Sequence, residues 1–286
     1  MKYFAICVLV LFTYTTFAQP EKKLTATTVL KLPEEQLGKN ATISWNPTAQ
    51  VYVSIHSDSA TYSIHVFAKD GQLIKSEKQK ADAQICGVWY NKFKNELQAN
   101  LYGRAGWVKW NLNEKGIPQQ VDYIFNEMIQ PDDESVGFYD EISDIVYFLY
   151  GSAIYYFDAT TGAGNNNVIN LYIGYTPKEI SDDKSIIQHF NNGDIQQGVY
   201  NSTNAVLVFA NEKATFGMLN IEKKQIELYS KKTGMLETVF RLPSEISGLP
   251  EKNNFGYCNG RYWIYSSEIN SWMAFEDMTN SLPVKP

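Results

Sequence analysis

A strand with glycine at its centre keeps returning along this chain, and an internal repeat of that kind decides architecture before any single residue does. Its copies are Ile85-Cys86-Gly87-Val88-Trp89-Tyr90-Asn91, Ser135-Val136-Gly137-Phe138-Tyr139-Asp140, Gln197-Gly198-Val199-Tyr200-Asn201 and Phe255-Gly256-Tyr257-Cys258-Asn259. Ile43-Ser44-Trp45-Asn46 is a version without the glycine. A short polar turn follows each copy, and then an apolar strand: Val51–Ile55, Leu97–Tyr102, Ile145–Tyr150, Ala205–Phe209 and Tyr262–Tyr265.

Extending each pair outward gives units of four strands. The first is Thr42–Trp45, Val51–Ile55, Tyr62–Phe67 and Leu73–Glu77; the second Ile85–Tyr90, Leu97–Tyr102, Trp107–Leu112 and Gln120–Phe125; the third Val136–Tyr139, Ile145–Tyr150, Ile154–Phe157 and Val168–Ile173. The turns ending in Gly71, Gly116 and Gly162 fall 45 and 46 residues apart, the period of a four-stranded blade. The next such turn, at Gly234, comes 72 residues on, too far for one unit and too near for two. That stretch holds six candidate strands: Ile186–Phe190, Ile195–Tyr200, Ala205–Phe209, Phe216–Ile221, Ile226–Tyr229 and Leu236–Leu242. The last unit has three, Phe255–Cys258, Tyr262–Tyr265 and Trp272–Phe275, and its missing fourth is the orphan Thr28–Leu32. Closing a ring with that strand removes exposed sheet edges.

The four-strand unit, the Asp-Gly or Thr-Gly turn after its third strand and the closure strand together resemble β-propellers of the secreted, non-WD type, over Val29 to Phe275. Phe157-Asp158-Ala159-Thr160-Thr161-Gly162 is similar to the turn of quinoprotein-like repeats, but the tryptophan-docking signatures of true quinoproteins are not repeated. The resemblance implies an all-β ring of five four-stranded blades, or six if the slipped region is two degenerate ones. It implies no activity and no quinone.

Aromatics make up 14% of the chain and charged residues 20%, a balance that suits strands. Met1–Ala18 reads as a secretory signal peptide, with Lys2, the apolar run Ile6–Phe12 and the small-residue ending Thr16-Phe17-Ala18. The run is too short for a membrane span, and Phe17-Ala18-Gln19-Pro20 is similar to leaders of Bacteroidetes-type exported proteins. An exported chain, periplasmic or extracellular, is the expectation. It divides into the leader at 1–18, a flexible segment at 19–27, a propeller at 28–277 and a tail at 278–286. The net charge is −6, becoming −7 without Lys2, and the only arginines are Arg104, Arg241 and Arg261. Nucleic-acid binding needs a basic stripe, and none is present. Cys86 and Cys258 read as buried thiols rather than a disulfide framework.

The connections entering the inner strands gather on one face and are acidic, densest at Asp132-Asp133-Glu134. Such a rim either holds Ca²⁺ through several oxygens or simply aids solubility. Asp140, Glu141 and Asp144 read as turn residues on the opposite face. Trp45, Trp89, Tyr139 and Tyr200 are placed on inner strands, where rings either anchor a ligand or fill the space between blades. Arg104 in Gly103-Arg104-Ala105-Gly106 is a candidate anion contact. His56, His65 and His189 show no metal-ligand spacing and read as surface or strand residues. There is no nucleophile elbow and no phosphate loop.

The expectation is a monomeric binding or scaffold module for a peptide, glycan or protein at its channel face. Asp132, Asp133, Glu134, Trp89, Arg104 and Tyr139 are the candidate contacts, and no cofactor is expected unless Ca²⁺. The alternatives are a carbohydrate-active hydrolase or lyase using paired carboxylates, and a Ca²⁺-stabilised propeller of structural role.

Overall fold

The computed structural model describes residues 21–33, 40–58, 61–80, 83–103, 105–127, 129–165, 167–175, 177–191, 200–210, 213–244, 246 and 253–276. The chain is a five-bladed β-propeller. Blade 1 is β3 (Asn40–Asn46), β4 (Val51–Ser57), β5 (Thr61–Ala68) and β6 (Leu73–Lys80). Blade 2 is β7 (Ile85–Asn91), β8 (Glu96–Leu101), β9 (Trp107–Leu112) and β10 (Pro118–Phe125). Blade 3 is β11 (Gly137–Asp140), β12 (Ile145–Tyr150), β13 (Ala153–Asp158) and the short β14 (Ile169–Asn170). Blade 4 is β15 (Ala205–Ala210), β16 (Lys213–Asn220), β17 (Gln225–Ser230) and β18 (Leu236–Arg241). Blade 5 is β19 (Asn253–Cys258), β20 (Arg261–Ser266) and β21 (Ser271–Glu276), completed by β2 (Thr25–Lys31) from the other end of the chain.

The closure expected from the orphan strand is thus present: Leu30 pairs with Trp272 and Lys31 with Ser271. The residues just before it, read as flexible, are ordered. β1 (Glu21–Lys23) runs parallel to β18 as a fifth strand on blade 4, and Leu24, buried, donates its N–H to the Arg241 carbonyl. One short segment therefore covers the outer edge of blade 4 and then completes blade 5.

The slipped period has a local cause. Ile186–Phe190, expected as a strand, lies in α2 (Ser185–Asn191), which follows α1 (Pro177–Asp182). Pro177 at the first helical position suits the start of a helix, and Asp183 accepts the Ser185 N–H. Ile195–Tyr200 falls outside the described residues except for Tyr200, which is not in a strand. The remaining four candidates form blade 4, so the count is five. Ala205–Phe209, expected as a second strand, is the inner one.

Three of the five inner strands, β7, β11 and β19, carry a glycine where neighbouring blades converge. A Cβ on Gly87 would sit 2.5 Å from the Gly137 carbonyl oxygen, and one on Gly256 would sit 2.6 Å from Ile43 Cγ2. Asn100, fully buried, ties the same junction. Its Oδ1 accepts the N–H groups of Gly87 (3.0 Å) and Gly137 (2.9 Å), and its Nδ2 donates to Gln130 Oε1 and the Ser135 carbonyl, both at 2.8 Å. Buried polar groups of this kind are costly unless every one is paired.

The turns joining first and second strands repeat in blades 1 to 3. Asn46, Asn91 and Asp140 each accept the backbone N–H groups two and three residues on, and the turn closes on Gln50, Asn95 or Asp144 at φ 54°, 50° and 54°. Asn and Asp favour both roles. Between blades the core is apolar and aromatic, with Trp107, Trp110, Trp263 and Trp272 fully buried.

Candidate functional site

The inner strands β3, β7, β11, β15 and β19 surround the axis and enclose a cavity of about 340 Å³. Its lining reaches the turns between first and second strands through Pro47, Glu141, Asn259 and Gly260, so the mouth opens on that face. The size lies in the range of small-ligand sites.

The register places one residue of each inner strand at the same level, one before the strand's end: Trp45 opposite Tyr52, Tyr90 opposite Leu97, Tyr139 opposite Val146, Phe209 opposite Ala214 and Tyr257 opposite Tyr262. All five are aromatic and all five line the cavity. Their hydroxyls are tied to the rim. Tyr90 donates to Asn95 Oδ1 at 2.9 Å, Tyr139 to Asp144 Oδ1 at 2.8 Å, and Tyr257 to the Phe209 carbonyl at 2.7 Å. Burial raises the Tyr139 hydroxyl well above its ordinary range, and the Asp144 carboxylate adds to the effect; burial pushes Tyr257 up to about 12. The Tyr139 and Tyr257 rings are thereby held neutral. Below them the walls are apolar, with Ile43, Val88, Leu207 and Phe255.

The rim is uneven. In blades 1 to 3 the turns span 47–50, 92–95 and 141–144, whereas β19 and β20 are joined by Asn259-Gly260 alone. Phe93 and Ile142 stand at the tips of the taller turns, 65% and 67% exposed, the two most exposed large apolar side chains among the described residues. Lys92 Nζ lies 3.4 Å from Glu141 Oε1 and 5.4 Å from the Phe93 ring centroid, joining the two turns.

Of the sequence candidates, Trp89 and Tyr139 line the cavity. Trp89 is buried, donates from Nε1 to Gln98 Oε1 at 3.0 Å and packs edge-on against Trp107, so it supports the wall. Asp132, Asp133 and Glu134 lie at the other end of the axis and do not line this cavity. The Gln130 side chain donates to the Asp132 and Asp133 carbonyls, and Asp132 Oδ1 accepts the Glu134 N–H. Arg104 is outside the described residues. Among those described, no group of three or more His, Cys, Asp or Glu side chains is placed to hold a metal ion. Tyr200 is not on an inner strand; its place in the collar is taken by Phe209.

The sequence reading missed Tyr90, Phe209 and Tyr257 as one set. The signal was available: an aromatic residue one place before the turn in all five units. It was obscured because Trp89 was aligned with Trp45 and Tyr139, one residue out of step.

Two buried carboxylates, Glu227 and Asp140, do not line the cavity. Glu227 accepts hydrogen bonds from Tyr200, Tyr229 (2.8 Å), Asn220 (3.1 Å) and Gln225 (2.5 Å). Burial opposes its charge, but these donors outweigh that and hold the carboxyl below its ordinary range. Its oxygens are taken up within blade 4 and the connection that enters it. Asp140, at the end of β11, is paired across the blade junction with Lys231. Among the described residues, Cys86 and Cys258 are free thiols, the first buried and the second partly so.

No protein-family model matches the chain, and no curated protein sequence matches it. Among solved structures it resembles the glutaminyl cyclase of Myxococcus xanthus, with a TM-score of 0.57 and 8% identity over 91% of this chain and 98% of that one. An auxiliary nutrient binding protein from Bacteroides thetaiotaomicron aligns with a TM-score of 0.43 and 11% identity, over 82% of this chain and 58% of that one. A protein of unknown function from the same organism aligns with a TM-score of 0.46 and 11% identity over the same shares. At such identities the likeness to the cyclase is one of fold.

Proposed function

We propose that this propeller is a binding module and that its working surface is the mouth with the aromatic collar. The occupant is a polypeptide segment that inserts an apolar or aromatic side chain along the axis while its flanks rest on Phe93 and Ile142. One observation carries the reading: the cavity with five aromatic residues at one level opens on the face that bears the two most exposed large apolar side chains among the described residues. A ligand confined to the cavity leaves those tips in water, whereas a chain passing over the rim covers them. Apolar surface continuous with a preformed pocket marks a site of protein or ligand contact.

A two-carboxylate hydrolase is less well supported. That chemistry needs an acid and a partner carboxylate facing each other, and among the described residues Glu141 is the only Asp or Glu that lines the cavity. It is already paired with Lys92.

A random peptide display library and a glycan array, each probed with the chain and with the double variant Phe93→Ser, Ile142→Ser, test the proposal. Peptides carrying an aromatic residue are expected to be enriched, and the variant to lose at least tenfold in affinity, about 1.4 kcal/mol. Both positions are exposed, so the variant keeps its fold. Enrichment of glycans alone, or equal peptide binding by the variant, overturns it. Turnover of an N-terminal glutaminyl peptide, abolished by Glu141→Gln, replaces the binding module with an enzyme.

A further inference from the structure

We propose that the pair His56 and His65 makes the junction between blade 5 and blade 1 an acid-labile seam, the place where the ring opens as the pH falls.

The pair sits where the two ends of the chain meet. His56 on β4 and His65 on β5 are buried, at 1% and 0% exposure, with ring centroids 5.5 Å apart. The His56 ring lies 4.7 Å from Tyr265 and 6.4 Å from Trp272, both on blade 5. The apolar cluster around them joins Leu30 and Leu32 of the N-terminal segment to Tyr52 and Phe67 of blade 1 and to Trp263 and Trp272 of blade 5. The closure strand β2 is thus held partly by what surrounds these two imidazoles.

Three of the four ring nitrogens have no partner: His56 Nδ1, His65 Nδ1 and His65 Nε2. The fourth, His56 Nε2, lies 2.8 Å from Ser54 Oγ, which itself accepts the Trp272 indole N–H at 2.8 Å. The serine oxygen can accept from both rings or donate to His56, so this bond serves Nε2 in either tautomer. With both imidazoles protonated, the Nδ1–H of His56 and both N–H groups of His65 meet no acceptor. Buried charge without a partner is strongly unfavourable.

Among the described residues, the titratable and charged groups near the pair offer no counter-charge. Tyr52 on β4 takes a hydrogen bond from Asn259, and its hydroxyl lies 3.3 Å from an Arg261 nitrogen. Arg261 is paired with Glu276. Tyr265 on β20 donates to Asn270 at 3.1 Å. Cys258 packs at the edge of the same cluster. Lys78 on the outer strand β6 stands opposite Ser63 and is exposed. The two nearby cations, Arg261 and Lys78, share the sign of an imidazolium.

The direction of the linkage follows. Burial lowers His65 to about 4, and burial together with His65 lowers His56 well below its ordinary value. Both are neutral when folded, whereas an unfolded histidine takes its proton near pH 6.5. The stabilisation is complete above about pH 6.5 and declines as the pH falls from there towards the folded values. Each imidazole held neutral shifts the equilibrium by up to tenfold per pH unit in that window.

The test uses the full chain from pH 7.5 to 4.5. Reaction of Cys258 with dithiodipyridine, a disulfide reagent active in acid, reports on the seam, and reaction of Cys86 in blade 2 serves as the reference. Between pH 7 and 5 the Cys258 rate is expected to rise at least tenfold relative to Cys86, and the double variant His56→Leu, His65→Leu to remove that rise. Should the variant fail to fold, imidazole NMR shifts of the unaltered chain decide: two of the three histidines are expected to stay neutral at pH 5.5. Cys258 and Cys86 rising together, a pH slope unchanged in a folded double variant, or three imidazoles titrating near pH 6.5 each overturn the proposal.

Discussion

Asp140→Ala is expected to lower the unfolding free energy by about 3 kcal/mol, near the bottom of the range for breaking a buried ion pair because Lys231 stays partly in water. Asp140 is a turn acceptor and an inter-blade anion at once. It accepts the N–H groups of Ile142 and Ser143 and the Ser143 hydroxyl, and it pairs with Lys231 on the turn after the third strand of blade 4. The Lys231 ammonium also lies 5.0 Å from the Tyr147 ring centroid. Alanine leaves the turn unsupported and the lysine without its counter-charge. Asp140→Asn keeps the turn acceptor and loses only the charge, so its expected cost is smaller, about 1–2 kcal/mol. Burial works against the Asp140 carboxylate, yet Lys231, Ser143 and the Ile142 N–H together hold it below its ordinary range. Its contribution is therefore present above about pH 4, the unfolded value, and is lost as the pH falls through the folded one. Urea unfolding at pH 7 and pH 3 checks both points: the gap between the parent and Asp140→Asn should narrow in acid.

Gly87→Ala is the second large effect. The added Cβ would stand 2.5 Å from the Gly137 oxygen, 2.6 Å from the Gly137 nitrogen and 2.8 Å from Asn100 Oδ1. Two of these atoms are backbone of the next blade, and the third belongs to a side chain with every polar atom engaged. None can move without separating blades 2 and 3 at the axis, so a loss of about 3 kcal/mol is expected, at the upper end for overpacking. Gly256→Ala is the control. Its nearest neighbour is the branch methyl Cγ2 of Ile43 at 2.6 Å, a side-chain atom that gives way only by an off-rotamer turn about χ1, and about 1.5 kcal/mol is expected. Equal losses from the two, measured as shifts in the urea midpoint at constant slope, would contradict the crowding argument.

The ring was legible because its signals are local and repeated. Gly116 and Gly162, at φ 71° and 70°, mark the same turn in successive blades, and Thr28–Leu32 had no partner until the last unit was found one strand short. Two stretches misled. Ile186-Ile187-Gln188-His189-Phe190 is a short apolar run whose period does not separate strand from helix; the proline at 177 and the acidic residue at 183 were the better guides. Gln197–Asn201 copies the inner-strand pattern, yet Tyr200 lies outside any strand and the inner strand of blade 4 begins at Ala205. The site was legible only in part. The candidate Tyr139 lines the cavity, while the acidic candidates Asp132, Asp133 and Glu134 do not; charge density is visible in a sequence, and the level at which five strands end is not. That level depends on register, which only the paired strands reveal. The burial of His56 and His65 was equally hidden, since β4 and β5 are buried on both faces, which alternation along a strand does not announce.

The mouth of the cavity is the centre of this account, and Trp45 reports on it directly. Five of the six tryptophans are buried, and Trp45 is the one that is partly exposed. Acrylamide quenching of the intact protein therefore reads mainly that ring. With an enriched peptide at saturation, the quenching constant is expected to fall at least twofold. A peptide that stays bound while the quenching is unchanged sits elsewhere on the propeller and contradicts the assignment.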